Sequence, residues 1–235
     1  WQYLVQGGIT NANGFLGYSQ SLIGKNFDWH EPAPLLRAGL YWPGSGETTL
    51  EVVREHWIEG APVAALVFYR ALMQAANLAP VDALIASLDE RGLNPLPVHA
   101  ASLKDPVASA MVAEIFDAAP PDIILNATGF ALSVPGTTTD RGPFADTDAP
   151  ILQVVFAGSD LERWQSGANG LSARDVAMNV ALPEVDGRIL SRAVSFKGTT
   201  MRDDASETDI VAYEPVTDRI DFTAELAAAW AKLRK

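Results

Sequence analysis

Residues 62–101 read PVAALVFYRALMQAANLAPVDALIASLDERGLNPLPVHAA. The stretch begins and ends with short runs that are apolar almost throughout, which is typical of strands buried on both faces of a sheet. Between them lies a segment with helical spacing, with Pro80 near its first turn and Gly92 at its end, as helix boundaries favour. Strand, helix and strand in this order indicate a parallel sheet covered by helices.

The same alternation continues on both sides of this stretch. Strands are predicted at 37–42, 62–69, 94–101, 121–128 and 150–158, with a further strand-like run at 189–196. Helices are predicted at 47–60, 79–92, 105–119, 172–182 and 222–235. We therefore predict an α/β fold with a doubly wound, mostly parallel sheet of flavodoxin-like or Rossmann-like type. Residues 1–36 are predicted as a helical lead-in and Pro-rich linker, and 37–235 as the α/β domain ending in a C-terminal helix.

Charge and composition narrow the classes of function. With 17 Lys and Arg against 29 Asp and Glu, the formal charge is −12, which disfavours binding to nucleic-acid phosphates. The absence of cysteine excludes disulfides, thiolate metal sites and cysteine nucleophiles. No apolar run approaches the roughly 20 residues that span a bilayer. The chain opens at Trp1 without an initiator Met or a signal peptide, so we expect a cytoplasmic protein and a piece of a longer chain.

Common catalytic and metal-binding motifs are missing or incomplete. The three histidines stand in no metal-ligand spacing, so no metal site is predicted, and His99 is interpreted as a core histidine. Residues 44–50, GSGETTL, lack the third glycine of a dinucleotide fingerprint and the Lys of a P-loop; a plain turn is predicted there. No Gly-x-Ser-x-Gly elbow occurs.

A ligand site is expected beyond the carboxyl ends of the parallel strands. Arg70 follows a predicted strand directly, and Gln74 and Asn77 follow at helical spacing, so all three can point into one crevice. Thr128 and Phe130 follow another strand, in a long connection at 126–144 of a length that is usually functional or mobile. Two structural alternatives stay open: Asn77 caps the next helix, and any α/β sheet has polar loops at this edge.

Four phrases taken together resemble a known family of metal chelatases. They are VFYRALMQAANLAPVDALIASLDERGLNPLPVHAASLKDP (67–106), LNATGFALS (125–133), PILQVV (150–155) and GLSARDVAMNVALPEVDGRILSRAVSFKG (170–198). In this order they resemble the large subunit of aerobic cobaltochelatase (CobN). TGFAL (128–132) and ALPEVDG (181–187) also resemble the porphyrin-binding subunit of magnesium chelatase. The resemblance covers at least residues 37–234.

This resemblance implies a function for the complete subunit. Such subunits form nitrogen–metal bonds by inserting a metal into a tetrapyrrole, hydrogenobyrinic acid a,c-diamide in the cobalt enzyme. A separate AAA+ ATPase partner supplies the ATP-driven step. The segment is then expected to bind no cofactor, to be inactive alone and to hold the tetrapyrrole. The residues expected to hold it are Tyr69, Arg70, Gln74, Asn77, Thr128, Phe130 and Lys197. The alternative is a structural or docking domain that contacts partner subunits without binding ligand.

The ALPEVDG stretch contains the one acid that local structure does not explain. Pro183 is expected to end the preceding helix, and Asp186 with Gly187 is expected to form a turn. Glu184 would then lie just past a helix C-terminus, where a negative charge is unfavourable. Glu184 is therefore the candidate catalytic residue. The alternative is ion pairing with Arg188, Arg192 or Lys197.

Overall fold

The computed structural model describes residues 1–133, 141–204 and 207–233. Within them, eight strands form one sheet in the order β2-β1-β4-β3-β5-β6-β7-β8. The strands are β1 (Ala38–Trp42), β2 (Gly46–Thr48), β3 (Val63–Tyr69), β4 (Asn94–Ala100), β5 (Ile123–Asn126), β6 (Ile151–Asp160), β7 (Ile189–Asp203) and β8 (Thr208–Pro215). Strands β3 to β7 pair in parallel, whereas the β2–β1–β4 and β7–β8 pairings at the two edges are antiparallel.

The helices of the described residues vary widely in length. They are α1 (Gln2–Gln6), α2 (Gly8–Leu22), α3 (Leu50–Arg54), α4 (Arg70–Gln74), α5 (Ala79–Glu90), α6 (Pro106–Ala118), α7 (Leu161–Ser166), α8 (Ala173–Val176), α9 (Leu182–Glu184) and α10 (Thr217–Leu233). A π-helical turn, Ala177–Ala181, joins α8 to α9. No helix of these residues is both long and apolar enough to cross a membrane.

Helices cover both faces of the sheet because its central strands are apolar on both sides. In β3, Leu66 and Phe68 join a core cluster with α5 and α10, whereas Ala65 and Val67 join a second cluster with α6. Neighbouring side chains of a strand point to opposite faces, so one apolar run supplies both layers. The doubly wound sheet predicted from the sequence is confirmed.

The order of the parallel strands selects between the two predicted topologies. The chain runs from β3 to β4 on one side and then crosses to β5, β6 and β7 on the other. Counted within the parallel strands, this is the 2-1-3-4-5 order of flavodoxin-like folds and differs from the Rossmann order. The crevice between β3 and β5 is the point at which the chain reverses direction across the sheet.

Four elements differ from the prediction. The strand at 37–42 is antiparallel to both of its neighbours, β2 at the edge of the sheet and β4, and it forms a hairpin with β2 through a turn with positive φ at Gly44 and Gly46. The GSGETTL segment therefore contains a turn, the strand β2 and the start of α3, and the helix predicted at 47–60 is wrong outside Leu50–Arg54. The strand-like run at 189–196 is the start of a 15-residue strand, β7, and its β8 partner was not predicted.

Pro183 does not end its helix, contrary to the prediction. The helical path continues through Pro183 to Glu184. Proline lacks the amide hydrogen that a regular turn uses, and the π-helical turn just before it already departs from the regular bonding pattern. Glu184 is consequently the last residue of α9 rather than a residue beyond it.

The lead-in contacts the α/β domain through α4. Gln74 Nε2 donates a hydrogen bond to the Gln6 carbonyl at 3.1 Å. A Cβ at Gly7 would lie 2.9 Å from the Gln74 carbonyl oxygen, so glycine permits this close approach. The boundary at residue 36 stays a prediction, and these contacts cross it.

Candidate functional site

The carboxyl edge of the sheet is uneven, which creates a concave surface. Strands β3 and β5 end at Tyr69 and Asn126, whereas β6 continues to Asp160 and β7 to Asp203. In register, Val67 of β3 is level with Asn126, and Asn126 is level with Gln153 of β6. The last seven residues of β6 therefore rise above the switch point as a wall.

A cavity of about 650 Å³ lies between this wall, the switch point and the α8–π segment. Such a volume is within the roughly 300–1,000 Å³ range of small-molecule sites. Its lining includes four aromatic side chains, Tyr69, Phe130, Phe156 and Tyr213, and three cationic ones, Arg163, Arg174 and Lys197. None of these three cations makes an ion pair with another described residue. The cavity therefore offers aromatic surface together with free positive charge.

Among the described residues, two acids line this cavity: Asp160, which accepts the Arg163 amide at the start of α7, and Asp175, which is fully engaged. The Asp175 carboxylate accepts hydrogen bonds from the Gly158 amide at 2.7 Å, from Ser172 Oγ at 2.7 Å and from Ser159 Oγ. Burial acts to raise the pKa of Asp175, but the bonds from Ser159, Ser172 and Gly158 outweigh it and hold that pKa below its ordinary value. Asp175 therefore stays ionised and fixes α8 against β6.

The two tyrosines of the cavity are held in the neutral form. Burial raises the pKa of Tyr69, whose hydroxyl donates to the Gly129 carbonyl at 3.2 Å. Burial also raises the pKa of Tyr213, and the Asp175 carboxylate adds to this effect. Both tyrosines therefore carry no phenolate charge, and their rings can stack on the face of an aromatic ligand.

The loop after β5 is strained where it meets the π-helical turn. Phe130 has a φ of 66° and its side chain is 49% exposed, although non-glycine residues rarely adopt positive φ and such strain clusters at functional sites. Its amide donates to the Met178 carbonyl at 2.9 Å. A Cβ at Gly129 would lie 3.0 Å from the same carbonyl oxygen. Gly129 therefore permits a close approach of this loop to the π-helical turn.

A buried polar network supports this loop from below. Arg188 donates to the Asp186 carboxylate at 2.8 Å, to Gln153 Oε1 at 3.2 Å and to the Thr128 carbonyl at 3.3 Å. Asp186 in turn accepts the amides of Leu132 and Ser133 at 2.7 and 2.9 Å. Asp186 is therefore more than a turn residue, because together with Arg188 it ties the start of β7 to the loop after β5.

Comparison with known proteins decides the family. The family model CobN/Magnesium Chelatase matches residues 1–235. The chain belongs to the CobN/magnesium chelatase family. It is 44% identical over 246 residues to the aerobic cobaltochelatase subunit CobN of Sinorhizobium sp and 43% identical over 236 residues to that of Pseudomonas aeruginosa. In both cases the whole chain is covered, and it spans 19% of the relative's length.

A solved relative has the same fold. The catalytic subunit of cobaltochelatase from Mycobacterium tuberculosis superposes with a TM-score of 0.78 at 27% identity, covering 99% of this chain and 19% of that one. A magnesium-chelatase subunit of Rhodobacter capsulatus is 26% identical over 260 residues, which cover the whole chain and 21% of that relative. The described fold is therefore that of one segment, about a fifth, of a chelatase large subunit.

The predicted ligand-binding residues of this family member separate into two groups. Tyr69, Phe130 and Lys197 line the larger cavity, and Thr128 lines a smaller cavity beside it. The remaining three, Arg70, Gln74 and Asn77, lie outside both linings and bond to other parts of the chain.

Each member of the second group holds main chain. Arg70 donates to the carbonyls of Leu35 and Leu36 at 3.3 and 3.4 Å, and Asn77 Oδ1 accepts the Tyr213 amide at 2.9 Å. Gln74 holds the lead-in, as described above. Their contacts give no support to the ligand-binding role predicted for them, and we propose instead that these three residues hold the fold. Asn77 does not cap α5 through its side chain, because the structure records no such bond at that N-terminus.

Glu184 is exposed and makes no ion pair with a described residue. The predicted ion pairing with Arg188 is wrong, because Arg188 pairs with Asp186 instead. The Glu184 carboxylate is consequently free for chemistry, and a catalytic role for Glu184 stays a prediction.

Among the described residues no group of three or more His, Asp or Glu side chains is arranged to hold a metal. His99 is fully buried in the core, as predicted, with Nε2 3.1 Å from Glu47.

Sequence reasoning missed the cations of α7 and α8 and the Asp186–Arg188 pair. Arg163 and Arg174 lie in short polar segments between strands, with no signal that separates them from other surface arginines. The Ser172–Asp175 spacing does predict a capped helix start, and the structure confirms the bond from the Asp175 amide to Ser172 Oγ at 3.1 Å. The Ser172–Asp175 spacing does not predict that the Asp175 carboxylate also accepts a hydrogen bond from the Gly158 amide.

Proposed function

We propose that this segment supplies part of the tetrapyrrole-binding surface of a cobaltochelatase-type large subunit. The observation that carries the proposal is the larger cavity, where four aromatic side chains and three unpaired cations surround one space at the switch point. A tetrapyrrole is a flat aromatic or conjugated ring with carboxylate and amide arms. Aromatic side chains stack on such a ring, and Arg and Lys bind carboxylates.

The positions of these groups suggest a division of roles. Phe130 and Tyr213 lie on different elements of the cavity and would contact the ring. Lys197 of β7 and the two arginines of α7 and α8 would bind the acid arms. Lys197 Nζ lies 5.9 Å from the centre of the Tyr213 ring, so the charge and the aromatic face already adjoin one another.

The chemistry of metal insertion needs further groups beyond this cavity. Two pyrrole N–H protons must leave before a divalent cation, the substrate cobalt in this proposal, can bind the ring nitrogens. Glu184 is our candidate general base, because its carboxylate is exposed and unpaired. ATP hydrolysis is assigned to a separate AAA+ partner, as the family resemblance implies, and the Gly-x-Gly of residues 44–46 lies in a hairpin and has no P-loop lysine. We place the complete enzyme in the cytoplasm and expect the segment alone to be inactive.

Fluorescence titration tests binding directly. Trp164 of α7 stacks on Phe196 with ring centres 4.4 Å apart and is next to the cavity residue Arg163. Added hydrogenobyrinic acid a,c-diamide should quench tryptophan emission in a saturable way. Trp164→Phe should reduce the amplitude of the quenching without changing its midpoint. The matched control Trp57→Phe, at the opposite end of the sheet, should keep most of that amplitude. No quenching up to about 100 μM, where weak sites still show, contradicts the proposal.

Glu184 is tested by separating insertion from binding. Glu184→Gln should lower the rate of cobalt insertion by the assembled enzyme about 10²-fold or more, as loss of a general base does. The tetrapyrrole affinity and melting temperature should stay unchanged, because the side chain is exposed and unpaired. Glu59→Gln, at another exposed glutamate, is the matched control and should insert at the wild-type rate. An equal rate for both variants would exclude Glu184 as the base.

A docking domain remains the second candidate, favoured by the apolar surface of the lead-in. Trp1, Leu4, Ile9, Leu22 and Ile23 are each at least 65% exposed, and contiguous exposed apolar surface marks protein contact sites. A docking domain predicts no tetrapyrrole quenching and a loss of partner binding when these residues become polar. The titration therefore discriminates between the two functions.

A further inference from the structure

A second, smaller cavity of about 280 Å³ adjoins the first at the switch point. It lies between the loop after β4, which contributes Ser102 and Lys104, and the loop after β5, with the Arg188 side chain in its wall. It is below the roughly 300–1,000 Å³ of sites for drug-sized ligands. A whole macrocycle does not fit there, but one side arm does.

The lining of this cavity carries one unpaired positive charge, Lys104, because Arg188 is already paired with Asp186. Among the described residues that form it, Lys104 and Arg188 are the charged side chains, and no carboxylate is present. This is unusual in a chain with a formal charge of −12. Lys104 makes no ion pair with any described residue. The space therefore suits an anion.

Arg188 adds a buried donor that no described residue uses, and the Nε atoms of Arg70 and Arg91 elsewhere in the chain are in the same state. The Arg188 side chain is 1% exposed, yet its Nε has no hydrogen-bond partner among the described residues. A buried N–H without a partner costs about 1–3 kcal/mol, and native structures rarely leave one unpaired. The other two nitrogens are used by Asp186, Gln153 and the Thr128 carbonyl.

The two cavities are separated by a thin partition. Tyr69, Gly129 and Phe130 line both of them. The Tyr69 hydroxyl bonds to the Gly129 carbonyl at 3.2 Å, and the Phe130 amide bonds to Met178, so both sides of the partition are fixed. The two cavities therefore adjoin across these three residues, which is the arrangement that one ligand contacting both would need.

We propose that the smaller cavity is a carboxylate-binding subsite that receives one acid arm of the ligand held in the larger cavity. The Lys104 ammonium pairs with the arm's carboxylate, and Arg188 provides a donor in the wall. This inference rests on the proposed tetrapyrrole function and adds a residue-level requirement: the arm must be a free acid. Neutral arms of the same shape lose the contact with Lys104.

The test compares the free acid with a neutral analogue of the same macrocycle. The probes are hydrogenobyrinic acid a,c-diamide and the same macrocycle with its remaining carboxylates converted to methyl esters. Both are titrated into the intact wild-type subunit and its Lys104→Met variant. Lys104 is exposed, so the variant should fold normally, and Lys25→Met on the lead-in is the matched control.

The expected result is a loss of selectivity in one variant. Lys104→Met should weaken binding of the acid about tenfold, as loss of a charged hydrogen bond does, and leave the ester unchanged, whereas Lys25→Met should change neither. If Lys104→Met affects acid and ester equally, or neither, the subsite is overturned while the proposed function stands. If the wild type binds neither probe, the proposed function and the subsite both fail.

Discussion

Two regions at the same edge of the sheet differ in what their polar side chains do. After β3, residues 70–77 contribute Arg70, Gln74 and Asn77, and all three bond to main-chain atoms of other elements. On β7, α7 and α8, Lys197, Arg163 and Arg174 line the larger cavity and make no ion pair with a described residue. Polar residues near a switch point therefore become candidates for ligand binding only once their partners within the chain have been counted.

The buried network beneath the cavity should show the largest effect on stability. Arg188→Met leaves the Asp186 carboxylate, whose side chain is 4% exposed, without its cationic partner. Breaking a buried pair in this way costs about 3–5 kcal/mol of the free energy of unfolding. Urea denaturation measures the loss, and Arg174→Met, at an exposed arginine, should stay within about 0.5 kcal/mol of wild type.

A double variant makes this test sharper. Adding Asp186→Asn to Arg188→Met removes the orphaned charge, so the double variant should be less destabilised than the sum of the two single ones. Additive losses would mean that the pair does not act as a unit. In that case the loop after β5 is held by its other contacts.

Asp175 should contribute less to the free energy of unfolding than the Asp186–Arg188 pair, and its contribution should depend on pH. Asp175→Asn replaces a carboxylate that accepts three hydrogen bonds and should lower the free energy of unfolding by about 1–3 kcal/mol at pH 7. Because the pKa of the folded state is below the ordinary 3.8, this stabilisation is complete above pH 3.8 and is lost as the pH falls through the folded-state pKa. The difference between variant and wild type should therefore shrink below that pH. A difference that is constant from pH 7 to pH 3 would contradict the ionised role of Asp175.

Arg70 should make a modest contribution to the free energy of unfolding. Arg70→Ala removes the bonds to the carbonyls of Leu35 and Leu36 and should cost about 1–1.5 kcal/mol of unfolding free energy. Arg174→Ala is the exposed control and should cost less than about 0.5 kcal/mol. If Arg70→Ala is as stable as that control, the bonds to the linker contribute nothing measurable.

The sequence was informative where the pattern is local. Continuous apolar runs of 4–8 residues, with helices capped by residues such as Pro80 and Gly92, are local features and predict the doubly wound sheet correctly. The antiparallel direction of the strand at 37–42 could not be predicted, because strand direction depends on a hairpin partner of three residues, β2, that has no strand pattern. Which of the predicted residues line a cavity could not be read from the sequence for the same reason. Arg70 and Lys197 look alike in sequence, and the difference between them is which distant carbonyl happens to lie within reach.

In the proposed division of roles, the cavity side chains bind the ligand and the residues after β3 hold the fold. The dissociation constant of hydrogenobyrinic acid a,c-diamide, measured for wild type, Lys197→Met and Arg70→Ala, separates these two roles. We expect Lys197→Met to raise the dissociation constant about tenfold, which is about 1.4 kcal/mol, and Arg70→Ala to leave it unchanged. A tenfold rise for Arg70→Ala with no change for Lys197→Met would contradict the account.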